Sequence, residues 1–363
     1  MKILYIVPKI NNEGGVARVL WVKANYLIEK FGYEVHILTQ NKGNNPLFYS
    51  FNDRIILHDM VLKGNLFSFF YQYVKTLKRE VQLLLPDLII VCDNGLKAHT
   101  IPFVLKTNIP VIFECHGSKY IEENEQANSI FTTKFKLAFK EFSANRFTKF
   151  VALSKQSLKE WNLNNGLIIP NPLWFKTTQI ADLKSKKVIA VSRHSYEKGL
   201  DRMLQIWQKV VQKYPDWCLE LYGKSNGNQE IQELASALNI NQSVTFFEPI
   251  TNINDKYLEA SMLIMTSRTE GFGMVLLEAM AVGLPCVAYD CPVGPRSIII
   301  NNENGYLIED GNIDSFVQKL ELLIEDQNLR IEMGKNAKNS SSKYDLDTIM
   351  QQWKSLFEEL IKK

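Results

Sequence analysis

Short apolar, β-branched runs alternate with amphipathic stretches of helical period along most of this chain, and midway the rhythm starts again. Successive parallel strands need a crossover between them, usually a helix, so the alternation predicts parallel sheets covered by helices on both faces. In the first half the expected strands are Lys2–Val7, Glu34–Leu38, Ile55–Leu57, Leu88–Val91, Val111–Glu114 and Phe150–Leu153, with helical patterns at Val16–Lys30 and Phe67–Leu84. In the second they are Val188–Val191, Leu219–Leu221, Val244–Phe247, Met262–Met265, Cys286–Ala288 and Tyr306–Ile308. After Asp310 the pattern is mostly helical and ends in Leu346–Ile361. Ile169-Pro170-Asn171-Pro172 cannot continue a strand or helix, and the polar stretch Lys176–Lys187 follows it, so a linker is expected there. The expected organisation is α/β, with two doubly wound, Rossmann-like domains at residues 1–172 and 188–345, joined by a linker at 173–187. Ligands of such sheets bind at the carboxyl ends of the strands, which predicts a bilobal protein with a central cleft between the lobes.

With 363 residues, 46% hydrophobic and 22% charged, the chain is an ordinary globular protein able to bury a large core. Its net charge of +3 hides an asymmetry: residues 1–180 carry 22 Lys+Arg against 14 Asp+Glu, and the remainder 20 against 25. Nucleic-acid binders show a denser basic face, so no nucleic-acid partner is expected. The five cysteines, Cys92, Cys115, Cys218, Cys286 and Cys291, are odd in number and scattered. That fits free thiols in a reducing compartment rather than a disulfide framework or zinc knuckle. The opening residues read as a first strand, since they lack the cleavage site of a signal peptide. The longest nearly apolar stretch, Met274–Tyr289, contains Glu278, Gly283 and Pro285 and is too short to span a bilayer. A cytoplasmic location is expected.

The segment richest in chemistry is Ser267–Met280, which follows a buried strand and opens a helix. Backbone amides at a Gly-rich helix start form an anion site, because the first N–H groups lack intrahelical partners and the dipole favours negative charge. Glu270 sits on the loop, and Glu278 lies about a turn and a half into the helix. Carboxylates there repel phosphate and suit sugar hydroxyls better. The plain alternative is a simple strand-to-helix turn at Gly271 and Gly273 with Glu278 solvated. Leu276 stands where a dinucleotide fold would need its third Gly, which counts against NAD. A second constellation, Val191–Gly199, again ends a strand and precedes a helix over Leu200–Tyr214. Its Arg193 and Lys198 can converge on one diphosphate. In the first half, Glu13-Gly14-Gly15 makes another amide-rich helix start, and His116 follows the strand Val111–Glu114. His36 and His58 fall on strands, His99 on a helix and His194 on the basic loop. No Walker, zinc-protease or nucleophile-elbow motif is present. Asp345-Leu346-Asp347 reads as capping of the last helix rather than as a metal site.

Together these segments resemble the family 4 retaining glycosyltransferases of the GT-B fold, of the bacterial surface-polysaccharide type. The hallmark is E-x7-E, here Glu270 to Glu278, supported by Gly14-Gly15, Arg18, His116, Leu153-Ser154-Lys155, Asn171, Arg193 and Lys198-Gly199. The resemblance implies a final helix, 346–363, that crosses back to the first domain. It also implies an acceptor-binding first domain and a nucleotide-sugar-binding second domain. Arg193 and Lys198 would neutralise the donor diphosphate, and Glu278 would accept from the ribose. Glu270, with amides of Gly271, Phe272, Gly273 and Met274, would hold the transferred sugar. Gly15 would offer an amide to phosphate with Gly14 beside it at the donor, His116 would contact the sugar, and the base would lie near Phe247 and Ile250. No metal or other cofactor is implied; the donor is a nucleotide sugar, and the acceptor a glycan or lipid-linked glycan. The chain departs from the family where Glu248 replaces a frequent Gly and where Asp290–Ser297 replaces a Gly-rich loop ending in Glu. Loops of this kind resemble those of enzymes using UDP-hexoses or UDP-N-acetylhexosamines, which points to a hexosyl- or N-acetylhexosaminyltransferase. First-half loops at Lys9–Asn12 and Ser118–Gln126 are expected to shape the acceptor site. Two other readings are a sugar-nucleotide epimerase of the same fold and a non-catalytic bilobal sugar-binding protein.

A last pattern concerns location. Phe131, Phe135, Phe139 and Phe142 share one face of a helical pattern running through Phe131–Phe150, with Lys134, Lys136, Lys140, Arg146 and Lys149 interleaved. Phe67, Phe70 and Tyr71, followed by Lys75, Lys78 and Arg79, repeat the theme. The plain reading is core aromatics with solvated lysines. The functional reading is peripheral contact with anionic lipid at the inner face of the cytoplasmic membrane.

Overall fold

In the computed structural model, which describes residues 1–120, 130–225, 227 and 229–362 and all their side chains except those of residues 130–132, the chain divides into two units. One comprises Met1–Trp174 with Leu346–Lys363, the other Phe175–Asp345. The first unit runs β1 (Lys2–Ile6), α1 (Gly15–Phe31), β2 (Glu34–Gln40), β3 (Ile56–Met60), α2 (Leu66–Leu84), β4 (Leu88–Val91), α3 (Ile101–Val104), β5 (Val111–Cys115), α4 (Ile130–Ala144), β6 (Lys149–Ala152), α5 (Lys155–Lys159) and β7 (Gly166–Ile168). Its sheet is parallel, in the order β3-β2-β1-β4-β5-β6-β7. Alternate residues of a strand point to opposite faces. Ile3 and Tyr5 accordingly join a core with Leu20 and Leu27 of α1, while Leu4 and Ile6 join another with Tyr73, Leu77 and Val81 of α2.

The second unit runs β8 (Lys187–Val191), α6 (Leu200–Lys213), β9 (Cys218–Tyr222), α7 (Glu230–Ala237), β10 (Val244–Phe247), α8 (Asn254–Leu258), β11 (Met262–Met265), α9 (Met274–Ala281), β12 (Cys286–Tyr289), β13 (Gly305–Ile308), α10 (Ile313–Glu325) and α11 (Gln327–Ser341). Its parallel sheet has the order β10-β9-β8-β11-β12-β13. The last helix, α12 (Leu346–Ile361), belongs to the first unit, where Met350, Trp353 and Phe357 enter the core beside Ile3 and Tyr5. Residues 175–186 form neither strand nor helix but pack on the second unit. The Ala181 amide donates to Val282 O at 2.9 Å, and buried Leu183 accepts from Arg330 Nη2 at 3.1 Å.

The structure differs from the sequence reading at β7, which was not expected, and in the α4 region. The helical pattern expected through Phe150 stops at Ala144, because Phe147 and Phe150 are drawn into the sheet core and Lys149 opens β6. Lys140, read as part of a basic surface, is buried with 4% of its surface exposed. The side chain of Phe131 lies outside the described residues, as do residues 121–126 of the expected acceptor loop. All five cysteines are free thiols. Among the described residues no helix is long and apolar enough to cross a membrane.

Candidate functional site

Strand order in the second unit reverses between β8 and β11, which are hydrogen-bonded neighbours. Such a reversal opens a crevice at the strand carboxyl ends. The loop after β8 carries Arg193 and Lys198; the loop after β11 carries Glu270. Glycines let the backbone pack closely here, Gly199 against the loop after β11 and Gly223, which follows β9, against the loop after β8. Gly199 has φ +62°, and a Cβ there would run into Thr266 O; at Gly223 it would run into Ser192 O. The helices that follow, α6 and α9, have Gly199 and Gly273 as N-caps with no side-chain cap. By contrast, α10 and α11 are closed by Asn312 and Asp326. Neither α6 nor α9 therefore has an N-cap side chain over its first turn, although in α6 the Asp201 carboxylate accepts from the Asp201 and Arg202 amides.

The structure brings two of the sequence-predicted residues into contact: Lys198 Nζ donates to Glu270 Oε1 at 2.6 Å, and Ser267 Oγ donates to the same oxygen at 2.7 Å. Arg193 stands exposed after β8. Glu278 is not solvated. It is fully buried in α9, and its Oε2 accepts from the Tyr257 hydroxyl at 2.9 Å. Sequence reasoning missed Tyr257, which lies 21 residues upstream on another helix. Gly271 lies in the loop, Phe272 is buried against the Tyr344 ring, and Met274 opens α9. Phe247 is partly exposed and stacks on Tyr222, with ring centroids 4.7 Å apart, and Ile250 is half-buried nearby in sequence.

Around these loops lie buried polar atoms without a protein hydrogen-bond partner: both ring nitrogens of His194, Ser192 Oγ and Thr269 Oγ1. Each such group costs about 1–3 kcal/mol if left unsatisfied, so these atoms are available to bond water or a ligand. Burial lowers the His194 pKa, with Glu248 opposing. The Asp290–Ser297 loop closes directly on Glu270, since a Cβ at Gly294 would lie 2.6 Å from Glu270 Cβ. Arg296 fixes that loop through paired bonds to Asp290 at 2.7 and 2.8 Å. Burial, assisted by Glu270, pushes the Cys291 thiol up to about 12, so it stays protonated.

In the first unit, Gly14 caps α1 without a side chain, and its own N–H donates to Asn12 Oδ1 at 2.9 Å. Gly15 opens the helix, with nothing within 4 Å of the position a Cβ would take. His116 follows β5; its N–H donates to Asn94 Oδ1 at 3.3 Å, and its Nε2 lies 3.4 Å from Glu114 Oε1. Beneath it is a pair that sequence reasoning did not name. Lys23 Nζ donates to both oxygens of Glu114 at 2.6 and 2.7 Å, with side chains only 1% and 2% exposed, and sits 3.6 Å from the Trp353 ring centroid. A Glu inside the apolar run of β5 and a Lys on the apolar stripe of α1 were the available signal. Burial pushes the Glu114 carboxyl up, but the charges of Lys23 and His116 outweigh it and lower its pKa. Burial likewise lowers that of His116. Cys92, Glu114 and His116 offer ligand atoms within 4.8 Å of one another. Within this cluster the Lys23 ammonium already pairs with both Glu114 oxygens. Ser118 Oγ and the Lys119 amide both donate to Glu160 at 2.8 Å. Asp347 accepts from the Tyr26 hydroxyl at 2.6 Å, and Asp345 pairs with Lys176 at 3.2 Å.

Comparison with known proteins gives the family and the fold. Residues 13–173 match the model of Glycosyltransferase Family 4, and residues 175–340 that of glycosyl transferases group 1. The chain is 30% identical to an uncharacterized glycosyltransferase of Haemophilus influenzae over 98% of this chain and 99% of that one. It is 28% identical to a poly(ribitol-phosphate) alpha-N-acetylglucosaminyltransferase of Staphylococcus aureus over 84% of this chain and 61% of that one. A crystal structure of an S. aureus TarM mutant in complex with fondaparinux, alpha-GlcNAc-glycerol and UDP superposes with a TM-score of 0.79 at 17% identity, covering 98% of this chain and 99% of that one.

Proposed function

The chain belongs to the family 4 glycosyltransferases and has their GT-B fold, and from that premise we propose that it is a retaining hexosyl- or N-acetylhexosaminyltransferase using a UDP-sugar. Its acceptor is a glycan or lipid-linked glycan in bacterial polysaccharide assembly. The observation that carries this reading is the 2.6 Å contact of Lys198 with Glu270 at the strand-order reversal, flanked by two glycine-capped helix termini. One group suits the diphosphate, its neighbour the sugar hydroxyls. The UDP found in the TarM complex supports the choice of nucleotide.

In this reading Arg193 and Lys198 neutralise the diphosphate, and the amides of α6 and α9 add positive potential. Glu270 aligns the sugar, and Glu278, fixed by Tyr257, accepts from the ribose hydroxyls. The base lies near Phe247 and Ile250. The resemblance assigns Gly14, Gly15 and His116 of the first unit to the donor as well. The bond from the anomeric carbon to the phosphate oxygen breaks with its electron pair leaving on UDP. The acceptor oxygen bonds to that carbon on the same face, and its proton passes to the leaving phosphate oxygen. The products are the extended acceptor and UDP. No metal is required, because the basic pair and the helix termini supply the charge that stabilises the leaving group.

The membrane contact is proposed on a narrower surface than the sequence suggested. The α4 set loses Lys140 to the interior, whereas α2 keeps Phe67 (86% exposed) and Tyr71 beside exposed Lys63, Lys75, Lys78 and Arg79. Incubation with a panel of UDP-sugars tests the whole assignment. Slow UDP release supports a transferase, an isomerised donor supports an epimerase, and binding without turnover supports a receptor.

A further inference from the structure

Arg268 lies two residues before Glu270 and reaches across to the loop that carries Lys198. Its Nη1 and Nη2 donate to the two oxygens of Asp201 at 2.9 and 2.6 Å, and Nη1 also donates to Tyr196 O at 2.7 Å. The guanidinium lies 4.0 Å from the Tyr196 ring centroid, and the Arg268 amide donates to Glu197 O at 2.7 Å. Asp201 sits in the first turn of α6, just past Gly199, and Tyr196 lies two residues before Lys198. One side chain therefore grips the Lys198 loop from both ends.

We propose that Arg268 is a positioning residue, whose clasp on Asp201 and Tyr196 holds Lys198 in register with Glu270. This rests on the reading of Lys198 and Glu270 as the donor-binding pair. The ion pair is partly exposed, with side chains 20% and 41% accessible. A bidentate pair at this exposure contributes on the order of 1 kcal/mol to folding, and its two-point fork also fixes the alignment of the loops it joins. Only a guanidinium can supply this fork together with the ring contact; a Lys ammonium in its place keeps the charge and loses the register. Small misplacements of a charge-stabilising group cost turnover more than binding, because its contact tightens as charge grows on the leaving phosphate.

The test compares the full chain with Arg268→Ala, Arg268→Lys, Asp201→Ala and the Arg268→Ala/Asp201→Ala double variant, all held well below their melting temperatures. Without any ligand, hydrogen exchange at the amides of Lys198, Gly199 and Arg268 is expected to quicken by about tenfold or more in Arg268→Ala, with the interior of α6 unchanged. With a UDP-sugar, kcat is expected to fall by about 10- to 100-fold with donor KM within about threefold. Arg268→Lys should not restore it, and the double variant should be no slower than the worse single one. Unchanged exchange at both loops overturns the proposal, as does a lowered melting temperature with kcat intact. If exchange quickens as expected but the wild-type chain turns over no nucleotide sugar, the clasp stands and the transferase reading falls.

Discussion

Replacing Lys23 by Met should destabilise the first unit more than any single change near its surface. At 2.6–2.7 Å the Lys23–Glu114 attraction is about 6 kcal/mol at an effective dielectric of about 20. Desolvation costs several kcal/mol for each ion, so the intact pair contributes little net. Removing one partner is different, because it strands a charge in the interior, and the expected loss is about 3–5 kcal/mol at pH 7.5. A cation–π contribution of roughly 0.5–2 kcal/mol from Trp353 is lost with it. In the wild type the Glu114 pKa lies below its ordinary 4.5. The stability it contributes is therefore present above about pH 4.5 and lost as pH falls through the lower folded value. In Lys23→Met, burial dominates and raises that pKa, so the destabilisation should shrink as the solution is acidified toward pH 4.5. Glu114→Gln strands a buried ammonium instead, at a similar expected cost at pH 7.5. The Lys23→Met/Glu114→Gln double variant should lose less than the sum of the singles. Urea unfolding followed by tryptophan fluorescence at pH 7.5 and pH 5 measures all three. A cost below about 1 kcal/mol in both single variants, or a Lys23→Met cost that grows on acidification, would refute the buried-pair argument.

The remaining expectations concern catalysis and location. Arg193→Ala or Lys198→Ala should raise the barrier by about 2–4 kcal/mol, mostly in kcat; near-normal turnover in both would show the diphosphate site is misassigned. Glu278→Gln should raise donor KM more than it lowers kcat, whereas Glu270→Gln should depress kcat; identical effects confined to KM would mean their roles are wrongly divided. Turnover should survive a chelator, and loss of activity restored by Mn²⁺ or Mg²⁺ would contradict the basic-residue account. Binding to anionic liposomes should be salt-reversible and lost on replacing Lys75, Lys78 and Arg79 by Glu, with about 1 kcal/mol at stake per basic residue. Indifference of the wild type to anionic liposomes at low salt ends the membrane proposal alone.

Strand runs such as Leu88–Val91 and Met262–Met265 were legible because strands buried on both faces are continuously apolar. β7 was not, since Gly166–Ile168 is short, sits at the sheet edge and has an exposed–half-buried–exposed pattern. The E-x7-E segment revealed where Glu270 and Glu278 lie along the chain, and strand ends indicated that Lys198 could approach them. Periodicity has no access to partners brought together by topology. Tyr257 under Glu278, Asp201 under Arg268 and Lys23 under Glu114 each depend on which strands become neighbours. Lys140 shows the same limit from the other side. A helical face can be read as amphipathic, but which of its lysines the rest of the chain covers is decided by packing.

The most direct measurement is the anomeric outcome of a single transfer. The full chain is incubated with α-configured UDP-hexoses and UDP-N-acetylhexosamines and candidate glycan acceptors, UDP release is followed, and the product linkage is read by NMR. An α-linked product formed with stoichiometric UDP is the expected result. A β-linked product would contradict retention. An isomerised donor, or tight binding with no UDP released across the panel, would contradict the transferase assignment itself.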